Sequence, residues 1–209
     1  MADYPYRTVI DAAPLRTALV DAETVFAELS VTPTSDQTTQ METVIVQASG
    51  LIDSFLDRRL AETDVTDHFR RLRCETLRLS RWPVAEILQV IENGTELTPD
   101  LWELDELTGQ LWRLSADERT EWVGTGTTTV SYIGGYDLPD ELPADLQRAA
   151  IDQIKFMYFA GDRDPALRSL DIPGVASESY AVAGGSSMGR SGLLISVESA
   201  LMAYRRMVV

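Results

Sequence analysis

The stretch TTTVSYIGGYDLPDELPADLQRAAIDQIKFMY, residues 127–158, joins two kinds of secondary structure. Its opening segment, TTTVSYI, has the pattern of a strand, and that strand halts at Gly134 and Gly135. An acidic turn follows, and Pro143 then stands where the first turn of a helix is expected, because proline is tolerated there. A helix is therefore predicted near residues 143–160. The junction between strand and helix carries no nucleophile, metal ligand or phosphate-binding loop.

Three further helices are predicted near residues 21–30, 36–60 and 197–206 from the spacing of their apolar residues. The pattern is strongest in the second of them, where Ser35 or Asp36 offers an N-cap. Its apolar positions are Met41, Val44, Ile45, Ala48, Leu51, Ile52, Phe55 and Leu56. That spacing predicts a helix with one wide buried stripe.

Residues 66–133 contain short alternating segments and turn signals, which predict antiparallel β structure. Asn93 and Gly94 lie between apolar flanks and form the favoured two-residue hairpin turn, in which both positions need a positive φ. The segments LWEL (101–104) and LWRL (111–114) predict a second hairpin. Its expected cross-strand pairs are Leu104 with Leu111, Trp102 with Arg113, and Glu103 with Trp112.

These elements predict an α+β fold. Residues 1–62 and 138–170 are expected to form a helical core, and residues 63–137 an antiparallel β insert. Residues 171–209 are expected to form a flexible C-terminal arm with a short helix near its end, because the stretch leading to that helix is rich in Gly, Ser and Pro.

The charge balance limits the possible partners of the chain. Among its 209 residues, 33 are acidic and 18 basic, which gives a net charge of −15. Binding to nucleic-acid phosphates needs clustered Lys and Arg, so we expect no grip on DNA or RNA. The excess of acids is compatible with a surface that repels DNA, or simply with solubility. With one cysteine, no secretory signal and no apolar run of membrane length, the sequence predicts a soluble intracellular product.

No constellation of residues points to catalysis or metal binding. GSSMG at 185–189 matches the nucleophile elbow with Ser187, but that motif needs a later histidine and the only one, His68, lies upstream. One histidine and the single Cys74 cannot complete a His/Cys zinc site. GDRDP (161–165) and GTGTTT (124–129) are better interpreted as turns. The sequence therefore predicts an interaction or structural protein with no catalytic residue, cofactor or metal.

The order of three segments resembles a known family. LRLSRWPVAEILQVIENGTELTPDLWELDELTGQLWRL (77–114), the stretch 127–158 and ALMAYRR (200–206) are similar to the head–tail connectors of tailed phages, also found in gene transfer agents. These are the adaptor, or head-completion, proteins. The match runs from about Val20 to Arg206, and the long arm at 171–195 departs from it.

The resemblance implies a structural role in the virion neck, between capsid and tail. Such adaptors form a ring, usually dodecameric, beneath the portal protein. The ring extends the DNA channel and gives stopper or tail-completion proteins a platform. DNA would pass without specific binding, no membrane would be involved, and the protein would be made in the cytoplasm of the bacterial host.

The resemblance also implies that the C-terminal segment docks onto the portal. The residues predicted to bind it are Leu193, Leu194, Ile195, Leu201, Tyr204, Arg205 and Arg206. The first five would be apolar anchors, and the arginines would pair with acids. The alternative is that this helix packs on its own core. Rival functions are another neck component, such as a stopper or tail-terminator, and a small carboxylate-based enzyme.

Overall fold

The computed structural model describes residues 2–14, 17–70, 73–123, 126–161, 169–172, 176–179, 188–189 and 191–205. The chain divides into two compact units. The first consists of residues 1–17 and 59–141, and the second of residues 18–58 and 142–209. The predicted α+β class is confirmed, since strands build the first unit and helices dominate the second.

Two described strands of the first unit lie near the N-terminus, and the others lie between residues 63 and 134. They are β1 (Ala2–Asp3), β2 (Arg7–Ile10), β3 (Thr63–Arg70), β4 (Arg73–Cys74), β5 (Thr76–Arg78), β6 (Val84–Glu92), β7 (Thr95–Glu96), β8 (Trp102–Asp105), β9 (Gln110–Ser115), β10 (Glu118–Thr120), β11 (Trp122–Val123) and β12 (Thr127–Gly134). One sheet has the order β2-β3-β12-β6-β7, and another has the order β1-β5-β9-β10 with β8 also paired to β9. β4 pairs with β11.

Both predicted hairpins are confirmed. The register of β8 against β9 places Trp102 opposite Arg113, Glu103 opposite Trp112 and Leu104 opposite Leu111. The turn between β6 and β7 has φ values of 52° at Asn93 and 83° at Gly94, the left-handed pair that the two-residue turn requires. Local sequence patterns determine these elements.

The N-terminal residues differ from the prediction, which placed residues 1–62 with the helical core. β2 pairs antiparallel with β3, and residues 1–17 belong to the first unit. The Thr8 hydroxyl donates to the Asp67 carboxylate at 2.5 Å. A strand this short has little signal of its own, because its place depends on pairing with a segment far along the chain.

A buried carboxylate organises the interior of the first unit. Asp67 is fully buried and accepts hydrogen bonds from the Ser80 amide at 2.7 Å, the Ser80 hydroxyl at 2.9 Å and the Tyr132 hydroxyl at 2.9 Å. Burial, followed by the charge of Asp67, raises the pKa of Tyr132 well above its usual range. The hydroxyl therefore remains a donor, and the buried charge is satisfied by hydrogen bonds.

The paired glycines allow the end of β12 to approach the start of the insert. The Tyr136 amide donates to the carbonyl of Leu60 at 2.8 Å, and the Glu62 amide donates to the carbonyl of Tyr136 at 2.9 Å. Gly135 has a φ of 120°, and a β-carbon there would lie 2.5 Å from the carbonyl oxygen of Ala61. Only glycine fits at position 135, so the close backbone approach at the end of β12 depends on Gly135.

The second unit contains the helices α1 (Ala22–Leu29), α2 (Ser35–Leu56), α3 (Ala144–Gly161) and α4 (Ile195–Leu201), the last continued by a 3-10 turn over Met202–Tyr204. A short antiparallel pair joins β13 (Ser169–Ile172) and β14 (Ala176–Ser179). Apolar stripes on α1, α2 and α3 supply the core, in which the ring of Phe26 meets that of Tyr158 edge-on at 6.3 Å between centroids.

The ends of α2 differ from the prediction by a few residues. Thr34, rather than Ser35 or Asp36, is the N-cap and forms a capping box with Gln37. The helix stops at Leu56 instead of residue 60, because Asp57 adopts a left-handed conformation with a φ of 53°. Cap geometry, which apolar spacing does not specify, decides both ends.

Part of the predicted flexible arm lies outside the described residues. Where the structure describes residues 191–205, they are ordered into a turn and α4, whose inner face is buried. Among the described helices, none is both long and apolar enough to cross a membrane.

The close backbone approach at Gly135 can be tested with two glycine substitutions. Gly135→Ala should lower the free energy of unfolding by at least about 2 kcal/mol, because it combines a strained φ with a clash. Gly50→Ala, in α2 with open space around the site, should raise it by about 1 kcal/mol through helix propensity. Denaturant unfolding measures both: tryptophan fluorescence follows the first unit, and circular dichroism follows the helices. A Gly135→Ala protein as stable as wild type would contradict the close approach.

Candidate docking surface beside the C-terminal helix

The inner face of α4 is part of the core of the second unit. Leu193, Val197 and Leu201 are buried, and α4 contacts α2 and α3. Their spacing of four residues places them on one side of the helix. The predicted alternative, that the helix packs on its own core, therefore holds for these side chains.

A buried glutamine fixes the start of α4. The Gln153 side chain, in α3, is fully buried, and its oxygen accepts from the amide of Leu194 at 2.9 Å. Its nitrogen donates to the carbonyl of Gly192 at 3.4 Å. One side chain thus satisfies two backbone groups just before the helix, which orients α4 on α3.

Polar contacts secure both ends of the segment. The Tyr204 hydroxyl lies 2.6 and 2.7 Å from the two carboxylate oxygens of Asp145. The Ser191 hydroxyl donates to the Glu198 carboxylate, which also lies against Gly189 of the GSSMG motif. A side chain at Gly189 would have to displace this flexible carboxylate.

The outer face of α4 borders a groove with a volume of about 590 Å³. Its apolar wall consists of Phe55 from α2 with Ile195 and Met202, which are 46% and 58% exposed. The Arg205 guanidinium lies 5.4 Å from the centre of the Phe55 ring. Ser191, Glu198 and Ser199 complete the lining. The groove is thus an open apolar surface with a cation at its rim, which we call the α4 groove.

The seven residues predicted to bind the portal occupy different environments. Leu193 and Leu201 are buried, Leu194 is half-buried, and Tyr204 bonds to Asp145. Ile195 and Arg205 line the α4 groove. Arg206 lies outside the described residues. Phe55 and Met202 also line the groove, although neither is among the seven predicted residues. Met202 stands seven residues after Ile195, a helical spacing that was available as a signal.

Two of the residues considered for chemistry, His68 and Cys74, lie in strands of the first unit. His68 is half-buried in β3, with its ring 6.3 Å from that of Tyr6. Cys74 is buried, and burial, followed by the charge of Asp3, raises the pKa of its thiol to about 11. Ser187 lies outside the described residues. In the described part of the chain, no three His, Cys, Asp or Glu side chains cluster to hold a metal.

A second depression, of about 480 Å³, lies in the first unit and is acidic. Glu62, Asp64, Asp137 and Asp140 line it. The pKa of Glu62 is raised by partial burial and then by the negative charges of Asp137, Glu141 and Asp64. The ionised form of Glu62 is therefore disfavoured by folding.

Adjacent residues in the C-terminal segment test which side of it is buried. Leu201→Ala should destabilise the helical unit by about 2 to 5 kcal/mol, because it leaves a cavity in the core. Met202→Ala, one residue later and exposed, should change stability by no more than about 0.5 kcal/mol. Denaturant unfolding followed by circular dichroism measures both. Equal effects would show that α4 is not packed as described.

The acidic depression predicts a pH-dependent effect. Because folding raises the pKa of Glu62, its protonated form favours the native state, and this stabilisation is lost as the pH rises through the folded pKa. Glu62→Gln should therefore raise the melting temperature at pH 7, with the difference shrinking as the pH falls below the ordinary value of 4.5. Thermal unfolding across this range checks it. A constant difference at every pH would contradict the electrostatic cause.

The chain is similar in fold to protein chains of gene transfer agent (GTA) particles. One lies in the neck of an empty GTA particle, computed with C6 symmetry, with a TM-score of 0.54, 14% identity and 97% of each chain covered. Another lies in the neck of a native GTA particle, computed with C12 symmetry, with a TM-score of 0.53, 16% identity and 97% of each chain covered.

A chain in the virion of a native GTA particle has a TM-score of 0.54 and 14% identity, with 97% of this chain and 96% of that chain covered. No protein-family model and no curated protein matches the sequence. The resemblance to a family found in phages and gene transfer agents is therefore confirmed at the level of the fold.

Proposed function

We propose that the protein is a structural component of the neck of a phage-like particle, an adaptor between capsid and tail. The observation that carries this proposal is the shared fold, which spans 97% of this chain and of chains in the neck of GTA particles. Coverage of that extent includes both units, so the likeness does not come from one common motif. The role requires no catalytic group.

In this proposal the protein forms a ring that extends the DNA channel, and the ring is expected to be a dodecamer. The neck structures with similar chains were computed with C6 and C12 symmetry, which supports a cyclic arrangement. A net charge of −15 per copy would let DNA pass without binding wherever carboxylates face the channel. The ring would also present a platform for a stopper or tail-completion protein.

The proposed partner on the capsid side is the portal protein, contacted by the C-terminal segment. Leu193, Leu201 and Tyr204 are engaged within their own unit. The residues left for this contact are the outward-facing Ile195 and Arg205, together with Arg206. Binding would therefore add a partner to the exposed side of the segment without removing α4 from the core.

The proposal is tested by mixing the purified protein with the portal encoded in the same genome. The mass of the product is then measured, and the product is imaged by electron microscopy. We expect a ring on one end of the portal. A variant that ends at Arg205 should bind at least about tenfold more weakly, because it lacks the Arg206 guanidinium that is proposed to pair with portal acids. The deletion is kept short so that Leu193 and Leu201 remain in the core.

The control is Arg73→Glu, since Arg73 is an exposed arginine of the first unit. It should leave portal binding unchanged. If the wild-type protein adds no ring to the portal, the adaptor function is wrong. Binding to a tail component instead would identify another neck role, such as a stopper or tail-terminator.

A further inference from the structure

The α4 groove has a chemistry that restricts its occupant. Its wall is apolar, formed by Phe55, Ile195 and Met202, and Arg205 stands at the rim. The Glu198 carboxylate also lines the groove and accepts a hydrogen bond from the Ser191 hydroxyl. Among the described residues, the Arg205 guanidinium has no ion-pair partner. A fitting ligand therefore carries a large apolar side chain next to a carboxylate.

The chain itself presents such an element on the turn between β8 and β9. Leu107 is 78% exposed, the largest value among the large apolar side chains that the structure describes. Its neighbour Glu106 is also exposed. In the described part of the chain, the Glu106 carboxylate forms no ion pair. The exposed Leu107 side chain complements the apolar wall of the groove, and the Glu106 carboxylate complements the cation at its rim.

This turn is held in one conformation, which lowers the entropy cost of binding. The Asp105 carboxylate accepts from the amides of Leu107 and Thr108 at 3.1 and 3.3 Å, and from the Thr108 hydroxyl at 2.7 Å. The carbonyl of Glu106 accepts from the amide of Val84 at 2.7 Å. A pre-ordered turn loses little freedom when it docks.

We propose that the α4 groove of one copy binds the Leu107 turn of a second copy. Leu107 would pack against Phe55, Ile195 and Met202, and Glu106 would pair with Arg205. The inference rests on the proposed ring and names one contact within it. It moves Ile195 and Arg205 from the portal contact proposed above to the contact between copies, which leaves Arg206 for the portal.

Two physical arguments favour a second copy as the occupant. Copies that each carry a net charge of −15 repel one another, and a contact that pairs a carboxylate with a cation offsets part of this repulsion. The turn and the groove are also different surfaces, and each copy has both. A contact of this head-to-tail kind repeats from copy to copy and closes into a ring if the rotation allows it.

A cross-linking experiment tests the contact directly. Full-length Leu107→Cys and Met202→Cys proteins, each also carrying Cys74→Ala, are mixed under mild oxidation, alone and in the presence of the portal. One of them carries a mass tag. We expect a heterodimer linked by a disulfide to accumulate several-fold faster than in the control mixture of Leu107→Cys with Val46→Cys, an equally exposed position.

Charge reversal provides the second measurement. Glu106→Arg and Arg205→Glu should each weaken self-association by about tenfold or more, because each places like charges together. In a mixture of the two variants, every contact between unlike copies pairs opposite charges again, so association should recover in that mixture only. Sedimentation velocity over a range of concentrations, and mass measurement on the portal, follow the effect.

The outcomes separate this inference from the proposed function. Equal cross-linking in test and control mixtures overturns the contact between copies, as does an internal disulfide in a Leu107→Cys/Met202→Cys double variant. A ring that forms on the portal but ignores Glu106→Arg leaves the adaptor function intact and overturns the inference. Loss of portal binding by Ile195→Asp with normal self-association would instead identify the portal as the occupant.

Discussion

The close approach of residues 60–62 to residues 134–136 is the constraint on which the rest of the structure depends. Residues 59–141 form one continuous part of the first unit, and its two ends lie close together. Two backbone hydrogen bonds between Leu60, Glu62 and Tyr136 hold these points together. Gly135 makes the approach possible because a side chain there would meet the Ala61 carbonyl.

The two units are stabilised in different ways. The first contains a buried carboxylate, Asp67, whose charge is satisfied by backbone and hydroxyl donors. The second relies on apolar helix faces and on one buried amide, Gln153, that orients the last helix. These polar groups make the packing specific, because a misplaced partner would leave a buried group unsatisfied.

The orientation of α4 connects stability to the proposed interactions. Because Leu193, Val197 and Leu201 face inward, Ile195 and Met202 must face outward on the same helix. The groove therefore arises from the same packing that holds the helix in place. An exposed leucine on a fixed turn and an apolar groove with an arginine at its rim are the two surfaces that we propose to pair when copies assemble.

The sequence by itself determined the helices, the two hairpins and the register of β8 with β9, because these depend on local periodicity and turn residues. The order of its segments also indicated the resemblance to head–tail connectors. Only the tertiary structure decided that residues 1–17 join the β unit, that Leu193 and Leu201 are core residues, and that Phe55 and Met202 form a groove. An apolar residue has the same signature in sequence whether it fills a core or awaits a partner. Long-range packing is what distinguishes the two.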